Sequence, residues 1–133
     1  MKKIKLLIAD DSEDYCRQFK LHEKLKNIDI TAAFNGKTAL NLIDRLSPDI
    51  IIIDDIMPGP KCIDILKQIY SMNFPHKPKI IVTLSYHSDD FIKCAALFGV
   101  SFFIPKNSGI DSIIAKIITF ADFPNEGNTN IVP

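Results

Sequence analysis

The sequence lacks several patterns that would assign it to a common functional class. Its three cysteines, Cys16, Cys62 and Cys94, are widely spaced and form no CxxC pair, which argues against a disulfide framework and a zinc site. The formal net charge is +0, so no basic excess indicates nucleic-acid binding. No apolar run is long enough to span a membrane, and the run after Lys3 is too short for a signal peptide. We therefore predict a cytoplasmic protein that contacts neither a membrane nor DNA.

Apolar strand-like segments alternate regularly with amphipathic helical segments along most of the chain. The predicted strands are 3–10, 28–34, 49–54, 79–84 and 101–104, and the predicted helices are 12–27, 37–46, 62–72, 88–98 and 109–123. This alternation predicts an α/β fold whose parallel sheet is covered by helices on both faces. We expect the flavodoxin-like, doubly wound (βα)5 arrangement with strand order 2-1-3-4-5. The length of 133 residues suits one domain, which we place at residues 1–123, before a polar tail at 124–133 that we expect to be flexible.

One of the most apolar stretches, PDIIIIDDIMPGP at residues 48–60, contains two carboxylates directly after four isoleucines. A strand buried on both faces of a parallel sheet becomes a continuous run of branched apolar residues, which explains the isoleucines. Ligands of open α/β sheets bind beyond the carboxyl ends of the strands, where Asp54 stands. Asp10 and Asp11 end the first predicted strand, and Lys106 follows the fifth. The sequence therefore predicts that these four side chains converge on one rim of the sheet.

A cluster of three carboxylates and one lysine favours phosphate chemistry. Clustered carboxylates repel one another, and their pKa values rise unless a cation joins them. Mg²⁺ prefers oxygen ligands and is often held by carboxylates together with phosphate oxygens. With the metal bound, one aspartate can attack a phosphoryl group, and the lysine supplies a point charge for a phosphate oxygen. The alternative is that Asp10 and Asp11 only cap the first helix and Lys106 is a solvated loop residue. This alternative is the better explanation for any one of these residues alone, but the phosphate site better explains the whole set.

These residues resemble the motifs of the receiver domain of bacterial response regulators, over about residues 3–122. The matching features are the Asp10-Asp11 pair, the run PDIIIID leading to Asp54, the D-x-x-M-P pattern that begins at Asp54, and Lys106 after the fifth strand. The resemblance implies that Asp54 is the phosphoacceptor and that Lys106 contacts the phosphoryl group. It also implies a Mg²⁺ site formed by Asp10, Asp11, Asp54 and the backbone carbonyl of Ile56. The segments DDIMP, PKIIV and FFIPK are most similar to the receiver of the sporulation master regulator of spore-forming Firmicutes.

Two functions follow from this resemblance. The first is a stand-alone receiver, in a two-component or sporulation-related phosphorelay, that takes a phosphoryl group on Asp54 from a histidine kinase or a histidine phosphotransfer protein. Its output would run through protein–protein contacts. The second is a degenerate receiver that binds and inhibits a kinase, a phosphotransferase or a regulator independently of phosphorylation. Another response regulator and a second copy of the chain are further candidate partners.

We do not expect an enzyme that turns over a metabolite. A phosphatase of the haloacid dehalogenase type needs a second aspartate two residues after the nucleophile, where Ile56 stands. The nucleotide-binding loops GxxxxGK and GxGxxG are also absent. A receiver catalyses only its own phosphorylation and slow dephosphorylation.

The segment at the end of the fourth predicted strand departs from the family pattern. Receivers carry Ser or Thr where this chain has Leu84, with Thr83 and Ser85 on either side. A one-residue shift along a strand reverses the direction of a side chain, so either the loop is remodelled and Ser85 reaches in, or the switch is lost. From the misplaced hydroxyl, we expect phosphorylation to change the surface of the fourth helix and fifth strand little. Phe103 is either the family's signalling aromatic or ordinary sheet packing.

Two further residues near the predicted site are unusual for this family. Asp55 stands where receivers usually carry an apolar residue, and just beyond the strand it can turn away from the metal and bond to a loop. Pro105 precedes Lys106, whereas receivers usually have a proline after this lysine. The sequence therefore leaves open the geometry of the loop that presents Lys106.

Overall fold

The computed structural model describes residues 3–85 and 88–122, so the predicted tail at 124–133 lies outside the described residues. Its strands are β1 (Lys5–Ala9), β2 (Asp29–Ala33), β3 (Ile50–Asp54), β4 (Lys79–Leu84) and β5 (Phe102–Pro105). All strand pairs are parallel, and the five strands form one sheet in the order β2-β1-β3-β4-β5. The predicted fold class and strand order are confirmed.

Strand β3 lies at the centre of the sheet. Every residue from Ile50 to Asp54 is buried, and Ile52 pairs with Ile8 of β1 on one side and with Ile81 of β4 on the other. A strand with neighbours on both edges and helices on both faces places apolar side chains on both faces. Asp54, the last residue of this buried strand, therefore lies at the carboxyl rim of the sheet with little access to water.

Helices cover both faces of the sheet. They are α1 (Glu13–Lys20), α2 (Gly36–Leu46), α3 (Cys62–Ser71), α4 (Asp89–Ala95) and α5 (Ile110–Asp122). Phe19 of α1 and Ile113 of α5 belong to one buried core cluster, while Ile43 of α2, Ile65 of α3 and Ala95 of α4 belong to the other. Right-handed crossovers produce this division for the observed strand order. Within the described ranges, every helix falls short of the length or apolar character that a membrane crossing requires.

Helix α1 is shorter than predicted, and this part of the sequence-based prediction was wrong. The helix expected over 12–27 ends at Lys20, and a 3₁₀ turn follows at Glu23–Leu25. His22 Nδ1 accepts the amide hydrogen of Lys24 at the start of this turn. Leu25 is buried in the same core cluster as residues of α1 and α5. A continued helix would carry Leu25 onward along the helix axis, whereas the turn lets it pack into the core.

The Met-Pro-Gly-Pro segment after β3 packs against the start of α2. Gly59 has a φ of 98°, in the left-handed region that glycine occupies without strain. The carbonyl oxygen of Pro58 accepts the amide hydrogen of Gly36 at 3.1 Å. A Cβ atom added at Gly36 would lie 2.8 Å from Ile65 Cδ1 and 3.0 Å from Pro60 Cδ. The close approach of this turn to α2 therefore depends on glycine at both positions.

Replacing Gly36 with alanine should lower the free energy of unfolding by about 1–3 kcal/mol, because the added methyl group overpacks a closed contact. Urea denaturation followed by circular dichroism measures this loss. Lys37→Ala, at the next and exposed position, is the control and should change stability by less than about 0.5 kcal/mol. Equal losses in the two variants would contradict the packing argument.

Candidate functional site

The three aspartates singled out from the sequence meet at one rim of the sheet. Asp10 directly follows β1, and Asp54 is the last residue of β3, the neighbouring strand. Together with Asp11, each offers a carboxylate oxygen within 4.8 Å of the others. Asp10 and Asp54 are buried, whereas Asp11 is exposed. The structure thus brings these three residues together.

Helix capping does not account for this cluster. The N-cap of α1 is Ser12, whose hydroxyl oxygen accepts the amide hydrogen of Tyr15 at 3.1 Å. Asp10 holds the preceding turn through Oδ1, which accepts the amide hydrogen of Ser12 at 2.9 Å. The other oxygen, Asp10 Oδ2, is buried, and no backbone amide or hydroxyl group of the described residues donates to it. A buried carboxylate oxygen without a hydrogen-bond donor is unfavourable unless a cation faces it.

Lys106 supplies such a cation. Its Nζ lies 2.7 Å from Asp10 Oδ2, as an ion pair, and 3.3 Å from Asp54 Oδ2. Pro105 ends β5, and Lys106 begins a 3₁₀ turn that runs to Ser108. The described peptide bonds are all trans. The Pro-Lys order therefore still brings the ammonium group to the acidic cluster, which answers the geometric question that the sequence left open.

The pKa values in the cluster follow from burial and from the neighbouring charges. Burial and repulsion from Asp10 raise the pKa of Asp54 to about 6, against the opposing effect of Lys106. Burial by itself would lower the pKa of Lys106, but the carboxylates of Asp10 and Asp54 outweigh it and raise that pKa. The site therefore holds a charged lysine against carboxylates that repel one another, and a further cation would relieve this repulsion.

The donor set at this rim fits Mg²⁺. Three carboxylates supply hard oxygen ligands, and one ammonium group does not cancel their charge. Because Asp11 is exposed, the cluster is open to solvent, which suits an ion that keeps several waters. Ile56 lies two residues beyond Asp54 with its side chain 52% exposed. The ligand role of its backbone carbonyl stays a prediction.

A hydroxyl group reaches the cluster from the residue that follows β4. Leu84 is buried in the core that lies beneath α2, α3 and α4. Thr83 is also buried, with its Oγ1 3.5 Å from the carbonyl oxygen of Ile53. Ser85 is exposed, and its Oγ donates a hydrogen bond to Asp54 Oδ1 at 3.4 Å. Of the two arrangements that the sequence left open, this geometry is the one in which Ser85 reaches in, while the switching role of all three residues stays a prediction.

The side chain of Asp55 contacts Ser85, the residue directly after β4. Both of its carboxylate oxygens accept the amide hydrogen of Ser85, at 3.0 and 3.1 Å. The amide hydrogen of Asp55 itself goes to the carbonyl oxygen of Thr83 at 2.9 Å. These contacts agree with the loop-bonding position expected for this residue.

Tyr15 is a residue of the site that the sequence reasoning missed. Lys106 Nζ lies 4.6 Å from the centroid of its ring, a distance at which the ring face attracts an ammonium group. The Tyr15 hydroxyl is buried and has no hydrogen-bond partner among the described residues. Its pKa is raised by burial and by the charges of Asp10 and Asp54. The helical pattern assigns Tyr15 only to the buried face of α1, and its place in the first turn after the Asp-Asp pair is the signal that could have indicated it.

The two aromatic residues of β5 lie on opposite faces of the sheet. Phe103 is half-buried and packs against the core that contains Leu84. Phe102 packs on the other side, with its ring centroid 5.6 Å from that of Phe120. Half-burial of Phe103 agrees with a signalling aromatic and with sheet packing alike, so its role stays a prediction.

Comparison with known proteins assigns most of the chain to one family. The family profile described as the response regulator receiver domain matches residues 6–118. The matched range includes Asp10, Asp11, Asp54 and Lys106.

Solved structures with similar folds belong to proteins of the same kind. The Francisella response regulator 1452 receiver domain is 28% identical, with a TM-score of 0.79 over 92% of this chain and 100% of that chain. A two-component response regulator from Clostridium difficile is 22% identical, with a TM-score of 0.81 over 93% and 100% of the two chains. A CheY-like receiver domain protein from Methanospirillum hungatei JF-1 is 17% identical, with a TM-score of 0.82 over 91% and 95%. At such identities the last two similarities show a shared fold.

Proposed function

Because this chain belongs to the response regulator receiver domain family, we propose that it acts in two-component signalling by accepting a phosphoryl group on Asp54. The observation that carries this proposal is the surroundings of the Asp54 carboxylate, which lies 3.3 Å from Lys106 Nζ and 3.4 Å from Ser85 Oγ. A buried carboxylate with an ammonium and a hydroxyl donor beside it can orient a phosphoryl group and stabilise its negative charge.

The proposed donor is a phosphohistidine of a histidine kinase or of a histidine phosphotransfer protein. An Asp54 carboxylate oxygen attacks the phosphorus atom and forms an aspartyl phosphate. The P–N bond to the donor's imidazole breaks, and the nitrogen keeps the electron pair of that bond and takes a proton from solvent. Lys106 and Ser85 then donate to phosphoryl oxygens, since phosphoryl transfer is catalysed mainly by positioning and by charge stabilisation.

Receiver domains bind Mg²⁺ at an acidic pocket, and in our proposal Asp10, Asp11, Asp54 and the carbonyl of Ile56 hold the ion here. When bound, Mg²⁺ offsets the negative charge of the phosphoryl oxygens. Asp10 and Asp11 form no covalent bond in this scheme. Asp10 additionally keeps the start of α1 in place through its hydrogen bond from Ser12.

We propose that the output runs through protein–protein contacts in a cytoplasmic phosphorelay related to sporulation. The similarity of DDIMP, PKIIV and FFIPK to the receiver of the sporulation regulator supports this finer assignment. The proposed partners are a histidine kinase, a phosphotransfer protein and another response regulator. The stand-alone arrangement, a homodimer and the lack of metabolite turnover stay predictions.

A second candidate function is that of a degenerate receiver that occupies a kinase, a phosphotransferase or a regulator without being phosphorylated. The observation that favours it is that Leu84, a buried side chain without a hydroxyl group, occupies the family's hydroxyl position. That position therefore offers no hydrogen-bond donor to a phosphoryl group. The intact aspartates and Lys106 favour the first candidate.

Intact mass spectrometry separates the two candidates. After incubation with Mg²⁺ and acetyl phosphate, the mass of the chain should rise by one phosphoryl group, and peptide mapping should place that group on Asp54. Chelation of Mg²⁺ should prevent the rise. Asp44→Asn, at an exposed position of α2, is the matched control and should be phosphorylated like the wild type. An unchanged mass under all conditions would rule out the first candidate and favour the second.

A further inference from the structure

Two departures from the family pattern lie at the ends of the adjacent strands β3 and β4, and one contact joins the two strand ends. Leu84 of β4 replaces the hydroxyl residue of the family, and Asp55, directly after β3, replaces an apolar residue. The contact between the two segments is made by Ser85, whose amide hydrogen lies between the two oxygens of Asp55 at 3.0 and 3.1 Å. Hydrogen bonds to a carboxylate are stronger than those to a neutral acceptor, so this contact can hold a loop residue in place.

The backbone of Asp55 is itself well anchored. Asp54 pairs with Thr83 in the β3–β4 ladder, and the amide hydrogen of Asp55 continues the ladder with a bond of 2.9 Å to the Thr83 carbonyl. The backbone of Asp55 is thus fixed beside Thr83, and its carboxylate reaches Ser85, two residues further along the chain. Ser85 is bound at its amide by Asp55 and at its hydroxyl by Asp54, 3.4 Å away.

We propose that Asp55 is a positioning residue that holds Ser85 so that its hydroxyl replaces the missing hydroxyl of position 84 at the phosphoryl group on Asp54. This inference rests on the proposed function, since it assigns the second donor of the same site. A donor that is already held near its target loses little conformational freedom when it binds. Ser85 therefore already lies near Asp54 before phosphorylation, and phosphorylation has less movement of this residue left to cause than in a receiver whose hydroxyl swings in.

The anchoring step is tested in the unphosphorylated protein, by amide hydrogen exchange of Ser85 measured by NMR. Asp55→Ala should speed this exchange by about tenfold or more, because the amide loses a charge-assisted hydrogen bond. Asp55→Asn keeps one carbonyl acceptor and should restore part of the protection. Asp44→Ala removes a carboxylate from an exposed site on α2 and should leave the exchange of Ser85 unchanged. An equal exchange rate in Asp55→Ala and the wild type would overturn the proposal.

The phosphoryl step is tested by a double-mutant cycle on the affinity for beryllofluoride, a phosphoryl mimic, in the presence of Mg²⁺. Ser85→Ala should weaken binding by about tenfold, the loss expected for one charge-assisted hydrogen bond. Asp55→Ala should weaken it by a smaller factor, and the double variant should bind like Ser85→Ala, because Asp55 acts only through Ser85. Independent effects that multiply in the double variant would overturn the positioning role.

The two measurements also separate this inference from the proposed function. Failure of the wild type to bind beryllofluoride or to be phosphorylated would refute the phosphoacceptor function and the phosphoryl contact of Ser85 together. Normal phosphorylation with a Ser85 amide that does not respond to Asp55→Ala would refute only the positioning role. Circular dichroism of each variant confirms that the fold is intact in both comparisons.

Discussion

Lys106→Met should lower the free energy of unfolding by about 2–4 kcal/mol in Mg²⁺-free buffer near neutral pH, since removing one partner of a buried ion pair leaves the other charge uncompensated. The substitution keeps an unbranched apolar side chain but removes the ammonium group that lies 2.7 Å from Asp10 and 3.3 Å from Asp54. The side chain of Lys106 is 26% exposed and that of Asp10 is 1% exposed, so solvent screens this contact only in part. Urea denaturation with a chelator present measures the loss.

The origin of that loss is tested by supplying other compensation for the carboxylates. Saturating Mg²⁺ should restore part of the stability of Lys106→Met, and so should a lower pH that protonates Asp54. Lys67→Met is the matched control, because Lys67 is exposed and its ammonium only approaches the Phe98 ring at 5.8 Å. The control should lose less than about 1 kcal/mol. A loss in Lys106→Met that neither Mg²⁺ nor acid reduces would show that uncompensated carboxylate charge is not its cause.

Asp54→Asn should abolish phosphoryl incorporation from acetyl phosphate, because the amide oxygen is a poor nucleophile and cannot form the acyl phosphate. The folded structure should persist, since asparagine has nearly the same size and keeps one of the two oxygens that now accept hydrogen bonds from Lys106 and Ser85. Intact mass before and after incubation measures the result. Full incorporation in this variant would place the phosphoacceptor at another residue and refute the proposed function.

The same variant should be more stable than the wild type near neutral pH without Mg²⁺. Folding raises the pKa of Asp54 to about 6, so the folded protein binds a proton on the Asp54 carboxylate more tightly than the unfolded chain does. Wild-type stability should therefore fall as the pH rises from about 4 to about 6, and the uncharged amide of Asp54→Asn cannot contribute to such a fall. We expect a gain of about 1–2 kcal/mol at neutral pH, a value reduced for solvent screening. Thermal unfolding across this pH range measures both proteins, and parallel pH profiles would contradict the prediction.

The core of the site was predictable because it depends on strand ends. In a parallel sheet, the residues that follow adjacent strands must meet at the same rim, whatever the details of packing. Asp10, Asp11, Asp54 and Lys106 stand at or just after the ends of apolar strands, so their convergence required only the correct assignment of the strands. The run of four isoleucines made the central strand easy to recognise.

The parts that the sequence missed or left open depend on contacts between segments that are far apart in the chain. No periodic pattern distinguishes Ser85 from Thr83 as the hydroxyl that reaches Asp54, because that depends on the position of Ser85, whose amide bonds to Asp55. The contact of Tyr15 with Lys106 joins residues that are far apart in sequence. The end of α1 at Lys20 likewise depends on the burial of Leu25 in a core built by distant segments.

The sequence by itself determined the order of strands and helices, the buried central strand and the set of acidic and basic residues at the rim. Hydrophobic periodicity and strand-end chemistry are local properties, so they can be read without coordinates. Only the tertiary structure decided which hydroxyl faces Asp54, how Lys106 reaches Asp10 across a loop with the order Pro-Lys, and that Asp55 bonds to Ser85. These features are distances of a few ångströms between segments far apart in the chain, and they are settled by how the whole sheet and its loops pack.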